Sequence, residues 1–398
     1  MIAVLASICV AACVDADPGD GPRVTTRDSA GVEVATITSD PWGSPAWATL
    51  DTASAVRILP DDAKPETLFG RVRGALRLAN GNIAVLDIGR YEVRIFAADR
   101  SFVRSIGRRG QGPGEFDAPW RLIRAPGDSI GVVDMSGHLE LLPVDGDGSR
   151  RIPMPRRGED GTPQILGAFT TGGYLAILNE FPGKPQVGVN PLYSTLHVVT
   201  AAGGSGPTLA RHQSTQFIFR KGGDGRLREV PTLFWAEPGM AVLPAGYVWC
   251  LATEFDCQIR SNTGIHLRTI RAPVTPPHVT GSDVAELREI QLARATSARD
   301  SAQLEATMVE ADRMNRFPVL SLIRTDSRGR IWMRSFVWRN ADRSATWLVF
   351  EPTGRVLGTV TMPAGLQVFD IGEGYILGVE RDEDDAEGIA MYPYLVKR

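Results

Sequence analysis

Short runs of β-forming residues, separated by glycine- and asparagine-marked turns, recur through most of the chain. The clearest stretch starts at Gly74 and reads GALRLANGNIAVLDIGRYEVRIFAADRSFVRSIGRRGQGPGEF. Its runs ALRL, NIAVLD and EVRIFA are divided by NG, DIGRY and ADRS, and a fourth run, SFVRSIG, follows. Runs rich in Val, Ile and Phe between such turn signals predict strands, and four in about 40 residues predict one compact antiparallel sheet.

Weaker copies follow. APWRLIRAPGDSIGVVDMSGHLELLPVDGDGSRRI repeats the turn and the strand ending in Asp, and QILGAFTTGGYLAILNEF opens a third unit. A fourth spans FWAEPGMAVLPAGYVWCLATEFDCQIRSNTGIHLRTI and a fifth SLIRTDSRGRIWMRSFVWRNADRSATWLVFEPTGRVLGTV. The sixth, LQVFDIGEGYILGVERDEDDAEGIAMYPYLV, is one strand short. With Ile83, Ile130, Tyr174, Tyr247, Ile331 and Tyr375 as markers, the spacing is about 45 residues between regular neighbours, the period of a repeat architecture.

NGNIAVLD, VRIFAADRSFVRSIG and GPGEF resemble the glycine turn, V-x-D strand end and G-x-F link of NHL-type and related six-bladed propellers. The resemblance covers most of the chain and is carried most specifically by residues 74–135. It implies an all-β, six-bladed β-propeller. A ring has no free sheet edges, so the short last unit must be finished from elsewhere. Two spare runs lie near the N-terminus, GVEVATI at 31–37 and SAVRIL at 54–59, and one of them is expected to close the ring.

One segment breaks the β pattern. SDVAELREIQLARATSARDSAQLEATMVEADRM, residues 282–314, has no Gly or Pro and is rich in Ala, Leu, Glu and Arg. A helix or helical hairpin is expected over about 281–315, between the fourth and fifth units, with Ser282 and Asp283 as cap candidates.

The first twelve residues, MIAVLASICVAA, are apolar, and VDADPGDGP after Cys13 is polar. This is a signal-peptide profile, too short to span a bilayer. VAAC resembles a bacterial lipobox, which implies cleavage before Cys13 and lipidation of that residue. No Lys or Arg precedes the run, so either the true start lies upstream of Met1 or export proceeds without lipid. The expected organisation is a signal peptide at 1–12, a flexible linker at 13–30 and a single propeller at 31–398. The expected address is the periplasm or cell exterior, with membrane attachment through an N-terminal lipid only. Cys250 and Cys257 then remain, on two predicted strands joined by a tight turn, where either a disulfide or buried thiols would fit.

A formal net charge of −3 gives no field for gathering nucleic acid, and no nucleic-acid partner is expected. Asp87 and Asp134 end the two clearest V-x-D strands; as candidate ligand or metal residues they compete with the ordinary role of Asp in capping a turn. Arg71, Arg73, Arg90, Arg94, Arg104, Arg108, Arg109, Arg121 and Arg124 form a basic stretch that would suit an anionic ligand only where its members converge. His138, His197, His212, His266 and His278 have no helical zinc spacing. The resemblance implies, for some relatives, metal-dependent lyase or lactonase chemistry at the ring axis. The glycine-rich RRGQGPGEF enters a link, and the acidic RDEDDAEG at 381–388 lacks calcium-loop spacing. No catalytic residue, metal or cofactor is assigned by these patterns. They point to an envelope binding or scaffold protein for a peptide, glycan or protein, with a metal-dependent hydrolase or lyase as the alternative.

Overall fold

The computed structural model describes residues 22–126, 129–146, 148–155, 162–293, 295–337 and 344–397. Signal peptide and Cys13 lie outside them. The chain is mostly β, and the described residues form six sheets of four or more strands, each built largely from one sequence unit. The first sheet joins Val72–Arg77, Ile83–Asp87, Glu92–Phe96 and Phe102–Ile106 in order, all antiparallel. The second repeats this with Pro119–Ala125, Ser129–Asp134, His138–Pro143 and Arg150–Pro153. Gln164–Ala168, Gly239–Leu243, Leu320–Thr325 and Gln367–Gly372 open the third to sixth sheets.

Between consecutive sheets lie apolar clusters. Leu86 and Phe116 pack with Leu122 and Ile130 between the first and second, and Val133 packs with Ile165 and Tyr174 between the second and third. Tyr247 and Trp249 meet Leu175, Ile323 and Leu348 meet Val248, and Trp332 and Trp347 meet Val368 at the next three junctions. A further cluster joins Leu377, Val379 and Ile389 of the sixth sheet to Val72 and Val85 of the first. Each fully buried aliphatic side chain contributes about 1.5–3 kcal/mol, so every sheet depends on neighbours at both faces. This is a β-propeller-like arrangement.

Both N-terminal spare runs are used, in different places. Val56–Ile58 pairs antiparallel with Ile389–Met391, and Ala48–Leu50 pairs with Tyr394–Val396, so the SAVRIL segment joins the sixth sheet. Val32–Ile37, the GVEVATI segment, lies parallel to His266–Arg271 on the fourth sheet and is fastened by Glu33 to Arg268 at 2.8 and 2.9 Å. Val24–Ser29 pairs along its whole length with that strand. This corrects the expected flexible linker: residues 24–29 are ordered by a hairpin whose turn at Ala30 and Gly31 takes positive φ.

The helical segment is a hairpin, α1 (Gly281–Ala293) and α2 (Ala298–Glu310). The α1 cap is Thr280, not Ser282. Its hydroxyl accepts from the Asp283 N–H at 3.3 Å while the Asp283 carboxylate accepts from the Thr280 N–H at 2.8 Å, a reciprocal capping box. Ser297 breaks the helix and caps α2 through the Asp300 N–H. The hairpin base is held where Thr232–Leu233 pairs with Asp312–Arg313, and by Phe317 packed between Phe234 and Phe336.

One irregularity recurs and positions the site. In five sheets the register between the first two strands skips one residue: Arg73, Trp120, Leu166, Ser321 and Phe369. Such bulges bend the strand and re-aim nearby side chains.

Candidate arginine-lined site

Five arginines, Arg73, Arg77, Arg121, Arg124 and Arg324, and one acid, Asp370, occupy the six opening strands. That balance is opposite in sign to the net charge of the whole chain. At one end of these strands Asp370 is a hub: its Oδ2 accepts from Arg124 Nη2 at 2.6 Å, Tyr375 Oη at 2.9 Å and the Arg77 N–H at 3.0 Å. Arg124 belongs to the second sheet and Asp370 to the sixth, so this ion pair crosses in front of the first. The Arg77 guanidinium lies 5.0 Å over the Tyr375 ring. Burial, and then the Asp370 carboxylate, push the Tyr375 hydroxyl far up, so it stays protonated and donates.

Arg73, a bulge residue of the first sheet, stacks 4.6 Å over Trp120, the bulge residue of the second. Arg121 of the second sheet reaches toward Leu166 O of the third at 3.5 Å, and Arg324 of the fifth donates to Ile323 O at 3.2 Å. Desolvation, and then the like charge of Arg121, lower the Arg324 guanidinium to about 10. Desolvation alone lowers Arg121. Both remain charged at neutral pH, and among the described residues no carboxylate forms an ion pair with Arg73, Arg77, Arg121 or Arg324. Among the described residues the buried Nε–H groups of Arg73 and Arg77 have no acceptor. Each guanidinium offers five donors, so the group holds far more donors than it uses.

Asp87 and Asp134 are placed equivalently, and both face inward to turns. Asp87 accepts from the N–H groups of Gly70, Arg71 and Gly89 at 2.8, 2.8 and 3.0 Å. Asp134 accepts from Asp117, Ala118 and Ser136 N–H and from the Ser136 hydroxyl. These bonds use the lone pairs a cation would need. Cys250 and Cys257 face each other across two strands and are joined by a disulfide. Of the other basic residues, Arg94 is buried against Glu92 and the carbonyls of Glu66 and Leu68, and Arg108 pairs with Glu115. The RRGQGPGEF loop is organised from within, its Glu115 accepting from the Gly112 N–H and Arg151 bonding three of its carbonyls. The acidic run turns a hairpin about Asp382.

The histidines make local contacts. His138 contacts Ser136, His197 contacts Thr208, His278 contacts Asn315 O, and His212 stacks on Trp249 near His266. Among the described residues no three His, Cys, Asp or Glu side chains are grouped to hold a metal ion. Sequence reasoning named Arg73, Arg121 and Arg124 but missed Arg77, Arg324, Asp370 and Tyr375. The signal was the arginine in the runs that open the first, second and fifth units.

No family model and no curated protein matches this chain. Among solved structures, a member of the DUF4221 family from Bacteroides vulgatus superposes with a TM-score of 0.50 at 10% identity, covering 88% of this chain and 99% of that one. A Bacteroides fragilis structure described as a "Putative exported protein" gives 0.48 at 12% identity, covering 92% and 100%. A catalytically inactive virginiamycin B lyase from Staphylococcus aureus gives 0.38 at 10% identity, covering 80% of each. At these identities a likeness speaks to fold alone.

Proposed function

We propose that this chain is an exported, lipid-anchored binding protein whose six sheets are the blades of one propeller, closed by Val56–Ile58 and Ala48–Leu50 on the last blade. Its ligand, a peptide, glycan or protein of the cell envelope, seats over the arginine-lined axis. The observation that carries this reading is the cyclic order of contacts. Each opening strand touches the next, and Gln367–Gly372 touches Val72–Arg77. Glu387 of the sixth sheet also accepts from the Val72 N–H of the first. Ring folds use the mouth of the axis for ligands, where donors from several blades converge. Export is supported by the apolar leader ending at Cys13, and by the Cys250–Cys257 disulfide, a bond that persists in oxidising compartments. Among the described residues no helix is long and apolar enough to cross a membrane.

The alternative, a metal-dependent hydrolase or lyase, needs at least three convergent ligands, and the described residues supply none. The test is a thermal-shift screen of envelope peptides and glycans against the purified protein, with metal analysis of the same sample. A ligand that stabilises the wild type but not Arg73→Met with Arg77→Met supports the binding role. A stoichiometric bound ion with no such ligand overturns it in favour of the enzyme.

A further inference from the structure

Among the described residues, the acids that neutralise a basic surface elsewhere in this protein are missing from the middle of the axis. Arg108, Arg151, Arg211, Arg268 and Arg271 each hold a carboxylate within 2.9 Å. Arg121 and Arg324 each spend one donor on a backbone carbonyl and, among the described residues, hold none. They come from the second and fifth sheets, which stand opposite one another in a ring of six. Their like charges repel, and such strain is retained where a ligand relieves it. The planar fork of Arg suits an oxyanion in bidentate geometry, and two such forks suit one with several oxygens.

We infer that the axis binds a multiply charged oxyanion, carboxylate or phosphate, clamped between Arg121 and Arg324, with Arg73 and Arg77 supplying unpaired Nε–H donors toward either end. This deepens, and rests on, the reading of the six sheets as a ring. Asp370 belongs to the same design: by neutralising Arg124 and accepting from Tyr375 it leaves Arg121 and Arg324 as the strongest positive position.

The test titrates the purified protein calorimetrically with pyrophosphate and with citrate at low and moderate salt. The variants are Arg121→Met with Arg324→Met, and Arg108→Met as an exposed control. Wild type and control are expected to bind at least one anion saturably, more weakly as salt rises, and the better anion names the phosphate or the carboxylate class. The double variant is expected to bind at least tenfold more weakly while its ligand-free unfolding temperature is unchanged or higher, because a repulsion has been removed. Absence of saturable binding to the wild type overturns the inference, as does undiminished binding by the double variant. So does a double variant that melts earlier without ligand, since the arginines would then be structural. The ring itself is judged separately, by whether the N-terminal strand can be covalently locked to the last sheet.

Discussion

Replacing Asp87 by Ala separates the two roles its position allows. The carboxylate is fully buried and accepts from three backbone N–H groups, with Arg94 Nη2 a further 3.6 Å away. Gly70, Arg71 and Gly89 are exposed residues, so water can reach part of what is lost, and each donor costs about 1 kcal/mol, the low end of the range for an orphaned group. Arg94 keeps Glu92 and two carbonyls, so its loss adds only about 1 kcal/mol. The expected destabilisation is therefore about 3–4 kcal/mol. Asp87→Asn keeps the oxygen that serves Arg71 and Gly89 and should cost about half as much. Urea unfolding followed by tryptophan fluorescence measures both, with and without EDTA. The chelator should leave the wild type unchanged. A loss below about 1 kcal/mol for Asp87→Ala, or a wild type weakened by EDTA, would refute the turn-acceptor role and restore Asp87 as a cation ligand.

His212 makes stability depend on pH. Burial, then Arg260 and His266, lower its imidazole from 6.5 to about 4, so the folded form keeps it neutral while the unfolded chain accepts a proton. Its contribution is intact above pH about 6.5, falls as pH drops toward 4 and levels off below, amounting to about 3 kcal/mol at most. His212→Gln should shrink the stability difference between pH 7.5 and 4.5, and an unchanged difference in urea titrations contradicts this. Cys250 and Cys257 close a short loop with a sequence separation of 7, so replacing both by Ala should cost about 2–3 kcal/mol while far-ultraviolet circular dichroism stays the same. Collapse of the fold in that variant would show that the bond does more than shorten the unfolded chain.

Turn chemistry made the sheets readable. NG before Ile83, the Asp at the ends of Ile83–Asp87 and Ser129–Asp134, and Asn-Thr-Gly at 262–264 each mark a turn that the structure contains. The helical hairpin was readable because thirty-odd residues without Gly or Pro resist a sheet, but its cap was misplaced: Thr280 follows a Pro-rich loop and looks like part of it. The destination of the two N-terminal runs was not readable, because both are short and β-branched and only the edges they meet distinguish them. The arginine-lined site was half visible. Arg73, Arg121 and Arg124 lay in one basic stretch, whereas Arg324 and Asp370 are more than 190 residues further on. Only sheet order brings Asp370 to Arg124, and single-residue bulges re-aim the side chains nearby.

A covalent link tests the ring most directly. Val56 and Met391 are register partners on the strands that tie the N-terminal segment to the sixth sheet. With Val56→Cys and Met391→Cys in the same protein, mild oxidation should join the two residues, as peptide mapping would detect, and raise the unfolding temperature. Two thiols that stay free and react readily with iodoacetamide in the folded protein would mean that this strand pair does not close the structure.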